Sequence, residues 1–428
     1  MSRLIANQGV PVQACPRCGT QNGNGAVACI LCYAPMHIAV RDIKVPARKR
    51  FPLNWRYSLL VCSLFIIPAT TWLIRGRDRT LNPLPVESPG YSSGYPAVAV
   101  RQPGGLAKYE PTQGCYLGAF IDFDTRLNSP FKDMNGRVHQ DPTAFEELVG
   151  KQHAMYFFYL GYGKPLPLDW VKLLGKRGKF VHIALEPNDG LEFVENNEYL
   201  NSLADDMRRS GARIFLRFAS EMNGDWTNYH GNPALYRSKF RMISEVMRSR
   251  APNVAMVWCP YATPKHNISY YYPGDDAVDW VGVNFYNVTH HNNNADAPSI
   301  YEHPTVLLSY VYHKYSARKP IMICEYGATH RSATLNYTCP DFARRKITTL
   351  YTALPTKFPR VKCINYFDGN NMDVLPLRAA NDYSVTNDPI VLISYRRAIA
   401  SDYYLSAPAA EVTSPSSATA RDTSAAGG

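Results

Sequence analysis

Short apolar runs alternate with longer amphipathic stretches over residues 112–405. The clearest amphipathic stretches, 198–210 and 234–250, place Leu, Met, Ile and Phe at helical spacing. The apolar runs have the length and composition of buried strands. They lie at residues 115–121, 153–160, 180–186, 213–219, 254–260, 278–286, 321–326 and 361–368. Eight buried strands alternating with helices predict an α/β fold of the (β/α)8 TIM-barrel class.

An open, doubly wound α/β sheet is the alternative fold. Such a sheet usually carries a glycine-rich phosphate-binding loop after its first strand. Here the first strand instead runs into Gly118-Ala-Phe-Ile-Asp-Phe-Asp124. The pattern therefore favours the barrel, in which the chemistry lies at the C-terminal ends of the strands.

Residues 57–74 form an uncharged stretch of 18 residues. As a helix it would be roughly 27 Å long, close to the hydrocarbon core of a membrane at about 30 Å. Trp55, Tyr57 and Trp72 stand where interfacial aromatic residues belong. A buried core helix is the alternative, and a cleaved signal peptide is disfavoured because some 55 residues precede the stretch. We therefore expect a single transmembrane helix.

The net charge of +11 is concentrated near the N-terminus, since residues 1–56 contain eight basic residues and one acidic residue. Because these basic residues lie outside the predicted barrel, the excess of positive charge gives only weak support for nucleic-acid binding by the main domain. The positive-inside rule places the N-terminus in the cytoplasm and the barrel outside the membrane, and we expect a bacterial cytoplasmic membrane.

Residues 75–111 have the Pro/Gly-rich composition of a linker, and residues 406–428 have the composition of a disordered tail.

Residues 1–45 contain two Cys-x-x-Cys pairs, formed by Cys15 with Cys18 and by Cys29 with Cys32. Zinc prefers four tetrahedral thiolate or imidazole ligands, and each pair directs two thiolates towards one point. Two disulfides or four unrelated thiols are the alternatives, which the reducing cytoplasm disfavours. We expect a zinc ribbon with one structural zinc ion. Such a ribbon docks protein or nucleic acid, and a cytoplasmic protein is the partner we favour.

Two glutamates stand at the ends of opposing predicted strands, Glu221 after the fourth strand and Glu325 after the seventh. Two facing carboxyl groups, a proton donor and a nucleophile, are what glycoside hydrolysis requires. Other polar or aromatic residues at strand ends, which suit the hydroxyls and apolar faces of a sugar, are Asp122, Glu186, Trp258, Asn284, Tyr286 and Asp368. The alternative for Glu221 is a structural ion pair with Arg217.

The segment Arg217-Phe-Ala-Ser-Glu-Met-Asn-Gly-Asp-Trp226, together with Glu325-Tyr-Gly327, resembles the signature of glycoside hydrolase family 26, a β-mannanase family of (β/α)8 barrels. The resemblance spans roughly residues 112–405. It implies that Glu221 is the acid/base, Glu325 the nucleophile and Trp226 a sugar platform. It also implies that Tyr286 donates a hydrogen bond to the nucleophile, and it implies no cofactor for catalysis.

Two positions depart from the family pattern. Ser220 replaces the usual His before the acid/base, and the platform on the eighth strand is not Trp but falls to Tyr366 or Phe367. Because members of the family also cleave β-1,3-xylan and mixed-linkage β-glucan, β-1,4-mannan is only a default substrate. The substrate contacts that we expect are Asp122, Glu186, Arg217, Asn223, Trp226, Trp258, Tyr286 and Phe367.

The sequence thus predicts a membrane-anchored, retaining endo-β-glycanase acting on a β-linked polysaccharide, with an exopolysaccharide as one candidate. The alternative is a weakly catalytic or inactive polysaccharide-binding barrel that signals through the zinc ribbon. A third interpretation, a zinc-ribbon adaptor for nucleic acid or protein, leaves the barrel without a role. His290, His291 and His303 lie in the long loop after the sixth strand, which we expect to wall the substrate cleft rather than to bind a metal.

The cysteine spacing generates a first prediction. A fragment of residues 1–45 should contain one zinc ion per chain by metal analysis and should unfold when the zinc is chelated, because metal binding supplies most of the folding free energy of so short a segment. A fragment that keeps its circular dichroism spectrum after chelation would contradict the zinc ribbon.

Overall fold

The computed structural model describes residues 105–335, 337–374 and 381–408, and the backbone of 12–14 and 21–23. The four N-terminal cysteines and the predicted span 57–74 lie outside the described residues. So do the predicted linker up to residue 104 and the predicted tail from residue 409. Within the described part of the chain, no helix has the length and apolar character needed to cross a membrane.

Eight parallel strands close into a barrel, because the last strand pairs with the first. We label them β1 to β8 in chain order. They are Cys115–Phe120, Met155–Gly161, Phe180–Glu186, Ile214–Phe218, Val254–Trp258, Trp280–Asn287, Ile321–Ala328 and Val361–Phe367. Each strand pairs with its neighbours in sequence. The (β/α)8 fold is therefore confirmed, and each predicted strand lies within two residues of its observed bounds.

Seven helices of eight or more residues surround the described barrel. They are α1 Pro142–Val149, α2 Leu168–Lys176, α3 Glu198–Ser210, α4 Pro233–Arg250, α5 Pro304–Tyr315, α6 Pro340–Lys357 and α7 Pro389–Ile399. Five of them begin with proline in the first turn, where its missing N–H costs no hydrogen bond. Between β5 and β6 the helical position is taken by a short 3-10 turn, Ile268–Tyr271.

Several short elements complete the described structure. The two-residue strand Tyr404–Leu405 adds to β1, and three antiparallel pairs lie elsewhere. These pairs join Pro130–Lys132 to Val138–Gln140, Arg331–Ser332 to Asn381–Asp382, and Val12–Ala14 to Gln21–Gly23. Short helical turns lie at Leu191–Phe193, His291–Asn293 and Asn371–Val374.

Side chains alternate between the inside and the outside of the barrel with a period of two. Large aromatic residues fill its lower interior, among them Tyr116, Phe180, Phe215 and Trp280. The last residues of the predicted linker pack beneath them, since the Tyr109 ring lies 5.4 Å from Phe180. A packed lower interior leaves the C-terminal end of the barrel as the place for a ligand.

One glycine lets neighbouring strands pack closely inside the barrel. A Cβ on Gly282 in β6 would lie 2.5 Å from Cys324 Sγ and 2.8 Å from Cys259 Cβ. We predict that Gly282→Ala lowers the free energy of unfolding by about 1–3 kcal/mol, because the closed barrel cannot widen at one strand. Urea denaturation measures this change. Gly161→Ala is the matched control, because its Cβ would come no closer than 3.5 Å to any atom; equal losses for both variants would contradict the packing account.

Candidate active site

The chain turns sharply after β4, and this turn presents Glu221. Ala219 and Glu221 both have left-handed backbones, with φ of 48° and 60°, a conformation that is costly for residues other than glycine. Ser220 between them donates its N–H to Glu186 Oε2 at 3.1 Å and its Oγ–H to Glu186 Oε1 at 2.6 Å. Tyr229 donates its hydroxyl to the same carboxyl group at 2.6 Å. Glu186, at the end of β3, therefore fixes the turn from the neighbouring strand.

Glu325 lies on β7 and is only 4% exposed. Its Oε1 accepts a hydrogen bond from Arg217 Nη2 at 2.5 Å, and its Oε2 accepts one from the Tyr286 hydroxyl. Arg217 is fully buried, and its guanidinium lies 5.7 Å from the ring of Phe157. A buried carboxylate needs such a charged partner, so Arg217 maintains the negative charge of Glu325 inside the barrel.

Asn284 on β6 connects the two glutamates. Its Oδ1 accepts a hydrogen bond from Arg217 Nη1 at 3.1 Å, and its Nδ2 donates one to Glu221 Oε1 at 2.8 Å. The other oxygen of Glu221 accepts a hydrogen bond from Trp226 Nε1 at 2.7 Å. A continuous path therefore runs from Glu325 through Arg217 and Asn284 to Glu221.

The two glutamates have different electrostatic surroundings. Burial, and then repulsion from Glu325, raise the pKa of Glu221 to about 7, against the hydrogen bonds from Asn284 and Trp226, which lower it. A substantial fraction of Glu221 therefore carries a proton at neutral pH. Glu325 is paired with the cation Arg217. One carboxyl group can donate a proton while the other carries negative charge, which is the division of labour in glycoside hydrolysis.

Among the expected substrate contacts, Trp226 and Tyr286 present surfaces to the cleft. Trp226 is 54% exposed and packs edge-on against Tyr261, with ring centroids 5.2 Å apart. Tyr286 is partly exposed beside Glu325. Both rings are exposed enough for the expected contact with a sugar ring, which stays a prediction.

Four of the other expected contacts support the site from behind. Glu186 and Arg217 hold Ser220 and Glu325, as described above. Asp122 accepts hydrogen bonds from His139 and Arg137 of the hairpin that follows β1. Asn223 is 3% exposed and binds the backbone of Tyr261 and Pro264 after β5. Their polar atoms are engaged within the protein, and direct contact of these residues with substrate stays a prediction.

Trp258 and Phe367 are too deeply buried for the expected contact with substrate. Trp258 is fully buried and points out of the barrel, where its ring lies 4.9 Å from Tyr272 and 5.3 Å from Tyr315. Phe367 is 5% exposed and stacks on Phe120 beneath the tyrosines of the cleft. Trp258 was chosen for its position at a strand end, and Phe367 as a substitute for the family's Trp platform on the eighth strand. Side-chain alternation removes Trp258 from the cleft, and overlying rings cover Phe367.

Several site residues were not identified as such from the sequence. Asn284 was noted at a strand end without a role, and its link between the glutamates depends on side-chain geometry. Tyr159 contacts Glu325 as well as Arg217, and burial followed by the charge of Glu325 raises its pKa. Tyr261 and Tyr383 line a cavity of about 240 Å³ next to Tyr286. Their positions in loops after strands left no pattern that marks them.

Within the described residues, no cluster of three or more His, Cys, Asp or Glu side chains is arranged to bind a metal. In the loop after β6, His291 Nε2 lies 3.0 Å from Glu302 Oε1, and His290 and His291 line the cavity beside Tyr286. This loop therefore borders the cleft, as expected.

The family model of glycosyl hydrolase family 26 matches residues 179–309. Endoglucanase H of Acetivibrio thermocellus is 24% identical over 276 residues, which cover 60% of this chain and 28% of that protein. Beta-1,3-xylanase TXYA of a Vibrio species is 31% identical over 114 residues, 24% of each chain. The chain thus spans less than a third of the length of these curated relatives.

Solved structures of family 26 enzymes are also similar. A β-mannanase from Bacteroides ovatus superimposes with a TM-score of 0.46 at 15% identity, covering 69% of this chain and 90% of that one. An endo-β-1,4-mannanase from Cellulomonas fimi gives a TM-score of 0.48 at 14% identity, covering 69% and 73%. Over residues 179–309, which run from the start of β3 into α5, the chain is similar to glycosyl hydrolase family 26.

Proposed function

We propose that the protein is a retaining endo-β-glycanase that hydrolyses a β-linked polysaccharide. The observation that carries this proposal is the pair of glutamates at the ends of β4 and β7, one with its pKa raised to about 7 and the other paired with Arg217. The family match supports hydrolysis of O-glycosyl bonds as the reaction class.

The reaction would take two steps. Glu325 attacks the anomeric carbon while Glu221 protonates the departing glycosidic oxygen, which gives a glycosyl ester on Glu325. Glu221, now ionised, then removes a proton from a water molecule that attacks the same carbon and releases Glu325. In the first step the Tyr286 hydroxyl and Arg217 orient the attacking carboxylate. No cofactor is needed for either step.

We expect the substrate to be a neutral β-glycan. The relatives include an endoglucanase and two β-1,3-xylanases, while β-1,4-mannan is the family default. Ser220 donates both its N–H and its hydroxyl to Glu186, so it does not take over the sugar contact of the usual His. This weakens the preference for mannan, and a panel of β-1,4-mannan, β-1,3-xylan and mixed-linkage β-glucan tests the alternatives.

The N-terminal third would tether and regulate this activity. In our proposal, residues 57–74 anchor the chain in the cytoplasmic membrane, and a zinc ribbon formed by Cys15, Cys18, Cys29 and Cys32 contacts a cytoplasmic protein. The charge distribution and the cysteine spacing support this arrangement. A polysaccharide that the cell exports would then be a substrate within reach.

The catalytic pair makes the central activity prediction. Glu325→Ala should abolish turnover in the reducing-end assay, because no ester can form. Glu221→Ala should still release good leaving groups from activated aryl glycosides in the first step, and added azide should restore the second step and give a β-glycosyl azide. NMR of the first product should show retention of the anomeric configuration.

The control for the catalytic pair is Glu192→Gln, a conservative change in the 3-10 turn Leu191–Phe193 after β3, which should retain full activity. An inverted first product, or undiminished activity in Glu325→Ala, would contradict the retaining mechanism. Absence of activity in the native chain on every β-glycan tested would favour the non-catalytic polysaccharide-binding alternative.

The anchor makes a separate prediction. Reporter fusions at residue 40 and after residue 405 should report opposite compartments, the first cytoplasmic and the second external, because the larger cluster of basic residues precedes the span. Deleting residues 57–74 should leave both reporters in the cytoplasm. If both reporters of the intact chain were cytoplasmic, an extracellular substrate would be untenable.

A further inference from the structure

Cys259 directly follows β5, the strand that pairs with β4 on one side and with β6 on the other. Glu221 follows β4, and Asn284, which donates a hydrogen bond to Glu221, lies on β6. Cys259 therefore stands between Glu221 and its donor. Because the residue is fully buried, any effect that it has on a reaction must pass through these neighbours.

The backbone after β5 holds the backbones of both neighbours. Glu221 N–H donates to Cys259 O at 2.9 Å, and Asn284 N–H donates to Pro260 O at 3.0 Å. The first of these bonds supports the left-handed turn at Glu221, a conformation that is costly without supporting contacts. Two consecutive carbonyl groups thus help to fix the distance between Glu221 and Asn284.

The thiol of Cys259 completes the surroundings of the Asn284 amide oxygen. Cys259 Sγ donates to Asn284 Oδ1 at 3.1 Å, and Arg217 Nη1 donates to the same oxygen at 3.1 Å. An amide oxygen has two lone pairs, and these two donors use both. The amide plane is therefore fixed, and its Nδ2 is directed at Glu221 Oε1, to which it donates at 2.8 Å.

The Cys259 thiol retains its proton and so remains a donor. Burial raises the pKa of this thiol well above its usual value, and contact with the Cys324 thiol raises it further. Gly282 provides the space in which the two thiols meet, since a Cβ there would lie 3.0 Å from Cys259 Sγ and 2.5 Å from Cys324 Sγ. A thiol suits this place because it is a weak donor that otherwise behaves as a small hydrophobic group.

A buried cysteine is often only a small core residue, and Cys363 on β8 illustrates that case in the same barrel. It is fully buried, and its Sγ lies 3.8 Å from Met155 Sδ and 3.7 Å from Asn365 Nδ2. Cys259 differs because the side chain to which it donates is the one that binds Glu221.

We propose that Cys259 is a positioning residue for the acid/base, because its thiol fixes the Asn284 amide that holds the Glu221 carboxyl group. The proposal rests on the proposed function and deepens it. Cys259 acts only through Asn284 and through the turn at Glu221, and it takes no part in a covalent step.

The direction of the effect follows from the forces on Glu221. Burial, and then the charge of Glu325, raise the pKa of Glu221, and the hydrogen bond from Asn284 opposes them. An amide that has lost one of its two donors is held less firmly, so its hydrogen bond to the carboxylate weakens. The pKa of Glu221 should therefore rise above its native value of about 7 when the thiol is removed.

The test compares three variants of the full-length chain. Cys259→Ala removes the donor, Cys259→Ser retains one, and Cys363→Ala is the matched control that removes a buried thiol elsewhere in the barrel. Carbon-13 NMR titration should give a pKa of Glu221 that is about 0.5 higher in Cys259→Ala than in the native chain. In Cys259→Ser and Cys363→Ala the pKa should stay near the native value.

Kinetic measurements give a second readout on whichever β-glycan the native chain cleaves. Cys259→Ala should lower kcat about fivefold with KM nearly unchanged, because a misplaced acid/base slows the chemical step while Cys259 itself touches no substrate. The alkaline limb of the pH profile of kcat/KM, which reports the ionisation of Glu221 in the free enzyme, should move to higher pH. A merely structural cysteine would lower thermal stability without moving this limb.

The outcomes separate this inference from the proposed function. If the native chain hydrolyses a β-glycan and Cys259→Ala keeps the native pKa of Glu221, the positioning role is wrong and the hydrolase stands. If that pKa rises in Cys259→Ala but the native chain hydrolyses no β-glycan, the positioning contact stands and the hydrolase fails. An equal rise in Cys363→Ala would overturn the inference, because loss of volume would explain it.

A further variant guards against misfolding. Thermal unfolding checks each protein, and if Cys259→Ala does not fold, Cys259→Val removes the donor without opening a cavity. It should raise the pKa of Glu221 in the same way, and an unchanged pKa would overturn the positioning role.

Discussion

The buried ion pair between Arg217 and Glu325 is the interaction on which the site depends. A carboxylate inside a closed barrel is unfavourable unless a cation and hydrogen bonds compensate its charge, and Arg217 at 2.5 Å with the Tyr286 hydroxyl provides both. The charge so retained raises the pKa of Glu221 in addition to the effect of burial. Replacing Arg217 by a neutral residue would leave the carboxyl groups of Glu221 and Glu325 in one cleft, with no cation to compensate the repulsion between them.

Asn284 extends this pairing across the barrel mouth. Its amide is oriented without ambiguity, because the oxygen faces the Arg217 donor and the nitrogen must then face Glu221. Glu186 helps to hold the left-handed turn at Glu221 against this amide by accepting both donors of Ser220. Strain in the turn is thus offset by a carboxyl group on the adjacent strand, a common arrangement at functional sites.

The fold and the placement of Glu221 and Glu325 at the mouth of the barrel could be predicted from the sequence, because both follow from local pattern. Eight apolar runs specified the strands, and the residues that follow them specified the mouth of the barrel. The predictions for Trp258 and Phe367 were wrong because a strand end alone does not determine which face a side chain takes, and overlying rings are not visible in the sequence. Asp122, Asn223 and Glu186 were expected at the substrate but bind the protein itself, since hydrogen bonds between separate loops leave no sequence spacing to detect.

Burial and the negative charge of Glu325 together keep a proton on Glu221. The most direct test is a carbon-13 NMR titration of the Glu221 carboxyl group in the native protein and in Glu325→Gln. We expect a pKa of about 7 in the native protein and a clear decrease in Glu325→Gln, because the repelling charge is gone while burial remains. Titration of native Glu221 near the ordinary value of about 4.3, or an unchanged pKa in Glu325→Gln, would contradict it.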